Sequence, residues 1–246
     1  MPDLTQLVHV ALKGLPSQPE DTATREAKKR YSELMSEALA PAFAEALRAR
    51  GMTDIRPAGP GEVDAGGGGQ LPLAGGLGAK TIDLSWASEQ SGLIFAMSIK
   101  AISFKDGRSK NFQKNLANRS ETMLFEAVTL HKRFPFAVVV GLLVLDAGAE
   151  KDGTSRRRST FHNACTRLRL FTGRTDPAGR DEQLERVYIL LVDANRFSPV
   201  VRCYRADDSE TEISLAAAAD EIVELVLERN PDLYEGTASG DIRRRR

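Results

Sequence analysis

Asp83 and Lys100 are the residues of this chain whose surroundings point most directly to chemistry. Asp83 sits in the apolar stretch Thr81-Ile82-Asp83-Leu84, where a carboxylate is costly to bury unless it meets a cation or a metal ion. Lys100 sits in an equally apolar stretch, Phe95 to Ile102, and Ser98 precedes it by two residues. Side chains two apart on a strand project from one face of a sheet, so Ser98 and Lys100 form a polar strip on an otherwise apolar ribbon. The polar segment Ala87 to Gly92 between the two stretches is the sequence form of a hairpin, which returns Lys100 to the neighbourhood of Asp83 within about two residues of register. A partly buried ion pair that only stabilises the sheet is the plain alternative.

Two other groupings carry less. AGGLGAKT at residues 74–81 has the composition of a phosphate-binding loop, but that loop needs Gly directly before its Lys, where this chain has Ala79. It must also join a buried strand to a helix, whereas here a glycine-rich coil precedes and the strand-like KTIDLSW follows. YILLVD at 188–193 is therefore not read as the strand of a nucleotide hydrolase that ends in a magnesium-binding acid. The histidines are His9, His131 and His162; His162 and Cys165 stand three apart on an expected helix, which suits a buried polar pair better than a reactive thiol without an acidic partner. Cys203 is the other cysteine, too few for a disulfide framework or a cysteine–histidine zinc site, and a reduced cytoplasmic compartment is expected.

The elements that must hold Asp83 and Lys100 follow from periodicity. Apolar residues recur at helical spacing over Thr22 to Arg50, with Pro41 inside and Gly51 as a stop. Lys80 to Trp86 and Leu93 to Phe104 read as strands, Asn115 to Phe134 as a helix ended by Pro135, and Phe136 to Leu145 as a strand buried on both faces. Residues 155–172 are expected to be helical, Val187 to Asp193 and Val200 to Arg205 to be strands, and Leu215 to Arg229 to be a last helix stopped by Asn230-Pro231. This alternation predicts an α/β fold with a mixed central β-sheet flanked by helices. Residues 22–235 are expected to form a single domain after an N-terminal segment, 1–21. Residues 57–78, with nine glycines and three prolines, are expected to be a mobile loop, and the basic tail 236–246 to be disordered.

With 246 residues, 41% of them hydrophobic and 28% charged, the chain has the proportions of a protein with a packed core. The longest apolar run is about ten residues, short of the roughly 20 that cross a bilayer, and the amino terminus lacks the pattern of a signal peptide, so no membrane is expected. The 34 basic and 34 acidic side chains cancel, but unevenly along the chain. Residues 100–119 carry six basic side chains against Asp106, residues 151–180 carry eight against two acids, and residues 207–235 carry ten acids against Arg229. Flexible, solvated loops are the plain reading of the basic runs. Contacts to backbone phosphates are the functional one.

On a leading helix, Asp83 on one strand, Lys100 on the next, and a helix and buried strand after them, residues 25–146 resemble the PD-(D/E)xK superfamily of restriction-endonuclease-like nucleases. The resemblance implies a restriction-endonuclease-like fold and a Mg²⁺-dependent (or Mn²⁺-dependent) DNA endonuclease, with Asp83 as a metal ligand and Lys100 as the group that orients water or offsets charge. The family acid two residues before the lysine is Ser98 here, and a hydroxyl cannot supply the charge a hard cation wants. Some members take the missing carboxylate from the helix that follows, where Glu121 and Glu126 flank the apolar face by similar angles. Glu121, which follows Asn118 and Arg119 at a helix start facing the site, is the expected ligand; Glu126 is the alternative, and Glu45 on the leading helix is a third. Lys105, Arg108, Lys110, Lys114 and Arg119, extended by Arg156, Arg157 and Arg158, are the expected DNA contacts. The resemblance also implies a homodimer and a restriction or defence role, with a methyltransferase or defence-system partner. A nuclease-like subunit that has lost metal binding at Ser98 and only binds nucleic acid or a partner is the alternative function.

Overall fold

The structure is a computed structural model and describes residues 3–58, 72–75, 78–194 and 197–245. Capping side chains set most helix starts: Asp3 accepts from the Thr5 amide ahead of α1 (Leu4–Lys13), and Thr24 from the Ala27 amide ahead of α2 (Arg25–Arg48). A single short turn, Gln113–Asn115, leads into α3 (Leu116–His131). Ser159 and Ser214 cap α4 (Thr160–Leu168) and α5 (Leu215–Arg229) through the His162 and Ala217 amides.

A two-stranded antiparallel ribbon, β1 (Pro72–Gly75) and β2 (Gly78–Thr81), precedes the main sheet. That sheet has six strands in the order β3 (Leu84–Ser88), β4 (Gly92–Ile102), β5 (Val138–Asp146), β6 (Arg186–Asp193), β7 (Val200–Arg205) and β8 (Asp208–Ile213). The three central strands β4, β5 and β6 run parallel, and the outer pairings are antiparallel. The fold is thus a mixed α/β one, with a six-stranded mixed sheet flanked by helices.

Period-two alternation decides which helix each strand residue meets. Phe95, Met97, Ile99 and Ala101 of β4 pack with α1, α2 and α5, and Ala96 and Ile102 pack with α3 and α4. Ser98 and Lys100, even-numbered like the latter, turn toward α3. No helix among the described residues is long and apolar enough to cross a membrane.

Several expectations are corrected. The strand expected over Lys80 to Trp86 is broken, so Asp83 lies in a bend between β2 and β3, one residue ahead of the first ladder pair, Leu84 with Met97. The expected helix over 155–172 starts at Thr160, because Ser159 and not an earlier residue supplies the cap. Strand β8 lies in a stretch so acidic that it reads as polar loop, and it forms because it completes the edge beside β7. The tail is ordered as β9 (Tyr234–Gly236) and β10 (Ile242–Arg244): Ile242 is buried, and its amide donates to the Arg50 carbonyl at 2.8 Å. Gly51, at φ 98°, allows this approach, since a Cβ there would stand 2.1 Å from the Ile242 carbonyl oxygen. The expected mobile loop contributes β1 and the start of β2 at its far end; its residues 59–71 and 76–77 lie outside the described residues.

Candidate functional site

The hairpin β3–β4 and the helix α3 bring three charged side chains together. Lys100 Nζ stands 3.1 Å from Glu126 Oε1 and 3.7 Å from Asp83 Oδ2. Ser98 Oγ donates to Glu126 Oε2 at 2.5 Å, and the Ile99 amide donates to Asp83 Oδ2 at 2.7 Å. The partners come from three elements: Asp83 from the bend before β3, Ser98 and Lys100 from β4, and Glu126 from the sheet-facing side of α3. Gly141 of β5, paired with Ser98, leaves space for Met123 of α3, one turn before Glu126; a Cβ there would meet the Met123 tip at 2.2 Å.

Two carboxylates and one ammonium sum to one negative charge. Burial pushes the Asp83 carboxyl above its ordinary range; Lys100 and the Ile99 amide pull it down, and the neighbouring charge of Glu126 raises it again. The cluster opens onto a cleft of about 300 Å³ lined by Ser32, Glu33, Ser36 and Glu37 of α2, by Asp83 and Lys100, and by Arg119 of α3. Ser36 Oγ, 3.4 Å from the Ile99 carbonyl, fixes α2 against β4 at this level.

Among the described residues no group of three or more His, Cys, Asp or Glu side chains gathers. Two carboxylates with a hydroxyl beside them still suit Mg²⁺, which keeps several waters and binds through one or two carboxylates together with substrate phosphate. The chemistry of the donor set therefore fits that ion, with Asp83 and Glu126 as the groups that would hold it.

Glu121 is not part of the cluster. Its carboxylate is 66% exposed and pairs with Arg167 at 3.2 Å, because five helical residues separate it from Glu126 by about 140° around the α3 axis. Glu45 does not line the cleft either: it follows Ser36 by nine residues, about 13 Å along α2. The leading-helix acids at the cleft are Glu33 and Glu37, which sequence reasoning missed. Their i,i+4 spacing was visible, but they pair with Lys29 and Arg30 and read as an ordinary solvated face.

Of the expected phosphate contacts, Arg119 alone lines the cleft. Lys105 lies over the Phe112 ring at 5.6 Å, Lys114 pairs with Asp106 at 2.6 Å, and Arg157 donates to Gln113 at 2.9 Å. Arg108, Lys110, Arg156 and Arg158 are exposed on the two loops 103–112 and 151–159. His162 Nδ1 is 2.8 Å from Ser159 Oγ inside the α4 cap, and burial pushes the Cys165 and Cys203 thiols up to about 12, so neither is poised as a nucleophile.

A second ionic cluster lies at the amino-terminal ends of β5 and β6. Glu185 meets Arg174 and Arg229 at 3.0 Å each and His131 Nε2 at 3.2 Å, and accepts the Val139 amide at 2.8 Å. Its side chain is fully buried. Burial alone would push the Glu185 carboxyl up, but the His131 contact, the Val139 amide and Arg229 together hold it below its ordinary range.

Comparison with family models, with curated proteins and with solved structures found no significant match to this chain.

Proposed function

We propose that the chain is a Mg²⁺-dependent DNA endonuclease of restriction-endonuclease-like fold, with Mn²⁺ able to substitute. The observation that carries this reading is the meeting of Asp83, Glu126 and Lys100, the first and last of which line a cleft, on the order of elements helix, hairpin, helix and parallel strand. A divalent ion held by Asp83 and Glu126 would polarise the scissile phosphate and lower the pKa of water. Ser98 orients the Glu126 carboxylate, and the Ile99 amide orients that of Asp83. Lys100 offers an ammonium to the negative charge that develops at phosphorus, and Arg119 meets a non-bridging oxygen from the other wall of the cleft. Cutting both strands of a duplex calls for two such sites, so a homodimer belongs to the proposal.

Purified protein and supercoiled plasmid test it. Cleavage is expected in Mg²⁺ or Mn²⁺ and not in chelator, and it should be lost in Asp83→Ala, Glu126→Ala and Lys100→Ala, whereas Glu121→Ala should cut like wild type. Variants of the first three positions that cut undiminished would overturn the assignment. One feature favours a second reading, a non-catalytic nucleic-acid-binding or partner-binding subunit: Lys100 bridges the two carboxylates and so completes an ion triad by itself. DNA binding without cleavage in either metal would select it.

A further inference from the structure

Loops 103–112 and 151–159 hold cations that the cleft does not use, and the acids within them are turned inward. Asp106, 12% exposed, accepts from the Arg108 and Ser109 amides at 3.2 and 3.0 Å and pairs with Lys114. Asp152, 1% exposed, accepts from the Thr160 amide at 2.7 Å and, across the gap between the loops, from the Phe112 amide at 3.0 Å. Gln113 ties the loops in the opposite sense: its Oε1 accepts from Arg157 Nη1 at 2.9 Å and from Asn163 Nδ2 at 3.0 Å. Arg157 in turn donates to the Asp152 carbonyl. The side chains of Arg108, Lys110, Lys151, Arg156 and Arg158 are left exposed, and among the described residues none of them makes a salt bridge.

We infer that the two loops form one rigid phosphate-binding shelf for duplex DNA, in which Asp152 and Gln113 are positioning residues although neither carries positive charge. The shelf is joined to the cleft at both ends of its first loop, which begins three residues after Lys100 and leads into the helix that carries Arg119 and Glu126. Fixed cations neutralise phosphates without the entropy cost of ordering a loose loop first. The choice of DNA as the polyanion rests on the function proposed above; the cross-tied geometry does not.

Binding of a duplex of about 20 base pairs, measured in chelator between about 50 and 200 mM salt, tests the shelf apart from cleavage. Arg156→Ala/Arg158→Ala should weaken binding and flatten the slope of log affinity against log salt by up to about 2. Asp152→Asn discriminates by its sign. It removes a negative charge, so loops acting as independent charges would bind more tightly, whereas a shelf that has lost its brace binds several-fold more weakly. Gln113→Ala, which changes no charge, should weaken binding in the same way, and it serves alone if Asp152→Asn does not fold. Gln113→Ala binding like wild type, Asp152→Asn binding more tightly, or the double arginine variant binding unchanged would overturn the inference. Polyglutamate competing as well as DNA would assign the surface to an acidic protein and overturn it too. A chain that binds as described but never cuts would refute the proposed nuclease and leave the shelf standing.

Discussion

Around Glu185 one carboxylate meets two guanidinium groups and an imidazole, whereas around Lys100 two carboxylates meet one ammonium. Both clusters sit on the same sheet and both join strand ends to helices. The first is sealed, and several of its other donors find backbone carbonyls: Arg174 reaches Pro135 and Pro177, and Arg229 reaches Arg174, while Arg174 Nε is left without a hydrogen-bond partner. It locks the segment before β6 to the carboxyl ends of α3 and α5. The second is rich in acid and open to a cleft, so a further cation can approach it. Burial of charge alone does not distinguish a structural network from a site; the ratio of acids to cations and the access to solvent do.

Removing one partner from each cluster sharpens the contrast. Glu185→Ala leaves two arginines and a histidine buried around no counter-charge, and should cost about 3 to 5 kcal/mol of stability in a denaturant titration. A loss under about 1 kcal/mol would mean that the network is not the lock described. At the other cluster, Ser98→Ala removes the charge-assisted hydrogen bond that aims Glu126 and should slow plasmid cleavage by about ten- to a hundredfold, worth roughly 1.5 to 3 kcal/mol. Unchanged cleavage would show that Glu126 needs no orienting hydroxyl.

The two acids should also respond to pH with opposite signs. Glu185 titrates below its ordinary value of 4.5, so its contribution to stability is present above that value and is lost as pH falls through the lower native one. Asp83 titrates above its ordinary value of 3.8, so in metal-free buffer its ionised form costs stability, and Asp83→Asn should gain on wild type as pH rises through that range. Parallel curves for wild type and Asp83→Asn would remove burial as the cause of the shift.

The contrast was only partly legible in the sequence. Asp83 and Lys100 stood out because each interrupts an apolar run, and strand alternation has only two faces from which to choose. The choice between Glu121 and Glu126 depends on the rotation of α3 about its axis, which Met123, Ala127 and Leu130 settle only once they pack on β5. Glu33 and Glu37 were hidden because a polar helix face looks the same whether it borders bulk water or a cleft. The α/β alternation came through since β5 and β6 are continuously apolar and α5 has its cap and stop in place. By contrast, β8 is a polar, acidic segment that becomes a strand only by pairing back on its sequence neighbour β7, and the tail ribbon is seated by Arg50 and Gly51, far away in sequence. His131 follows Ala127 and Leu130 at the spacing of an apolar helix face, and nothing local in the sequence announces that Glu185, 54 positions away, meets it.

In the proposed function, Asp83 and Glu126 together hold a divalent cation, with Lys100 as its resident counter-charge. Calorimetric titration of Mn²⁺ into the full chain tests it without reference to cleavage. Wild type should bind the ion, Asp83→Asn and Glu126→Gln should each lose that binding, and Lys100→Met, which removes the competing ammonium, should bind more tightly than wild type. Equal Mn²⁺ affinity in wild type, Asp83→Asn and Glu126→Gln would contradict the account.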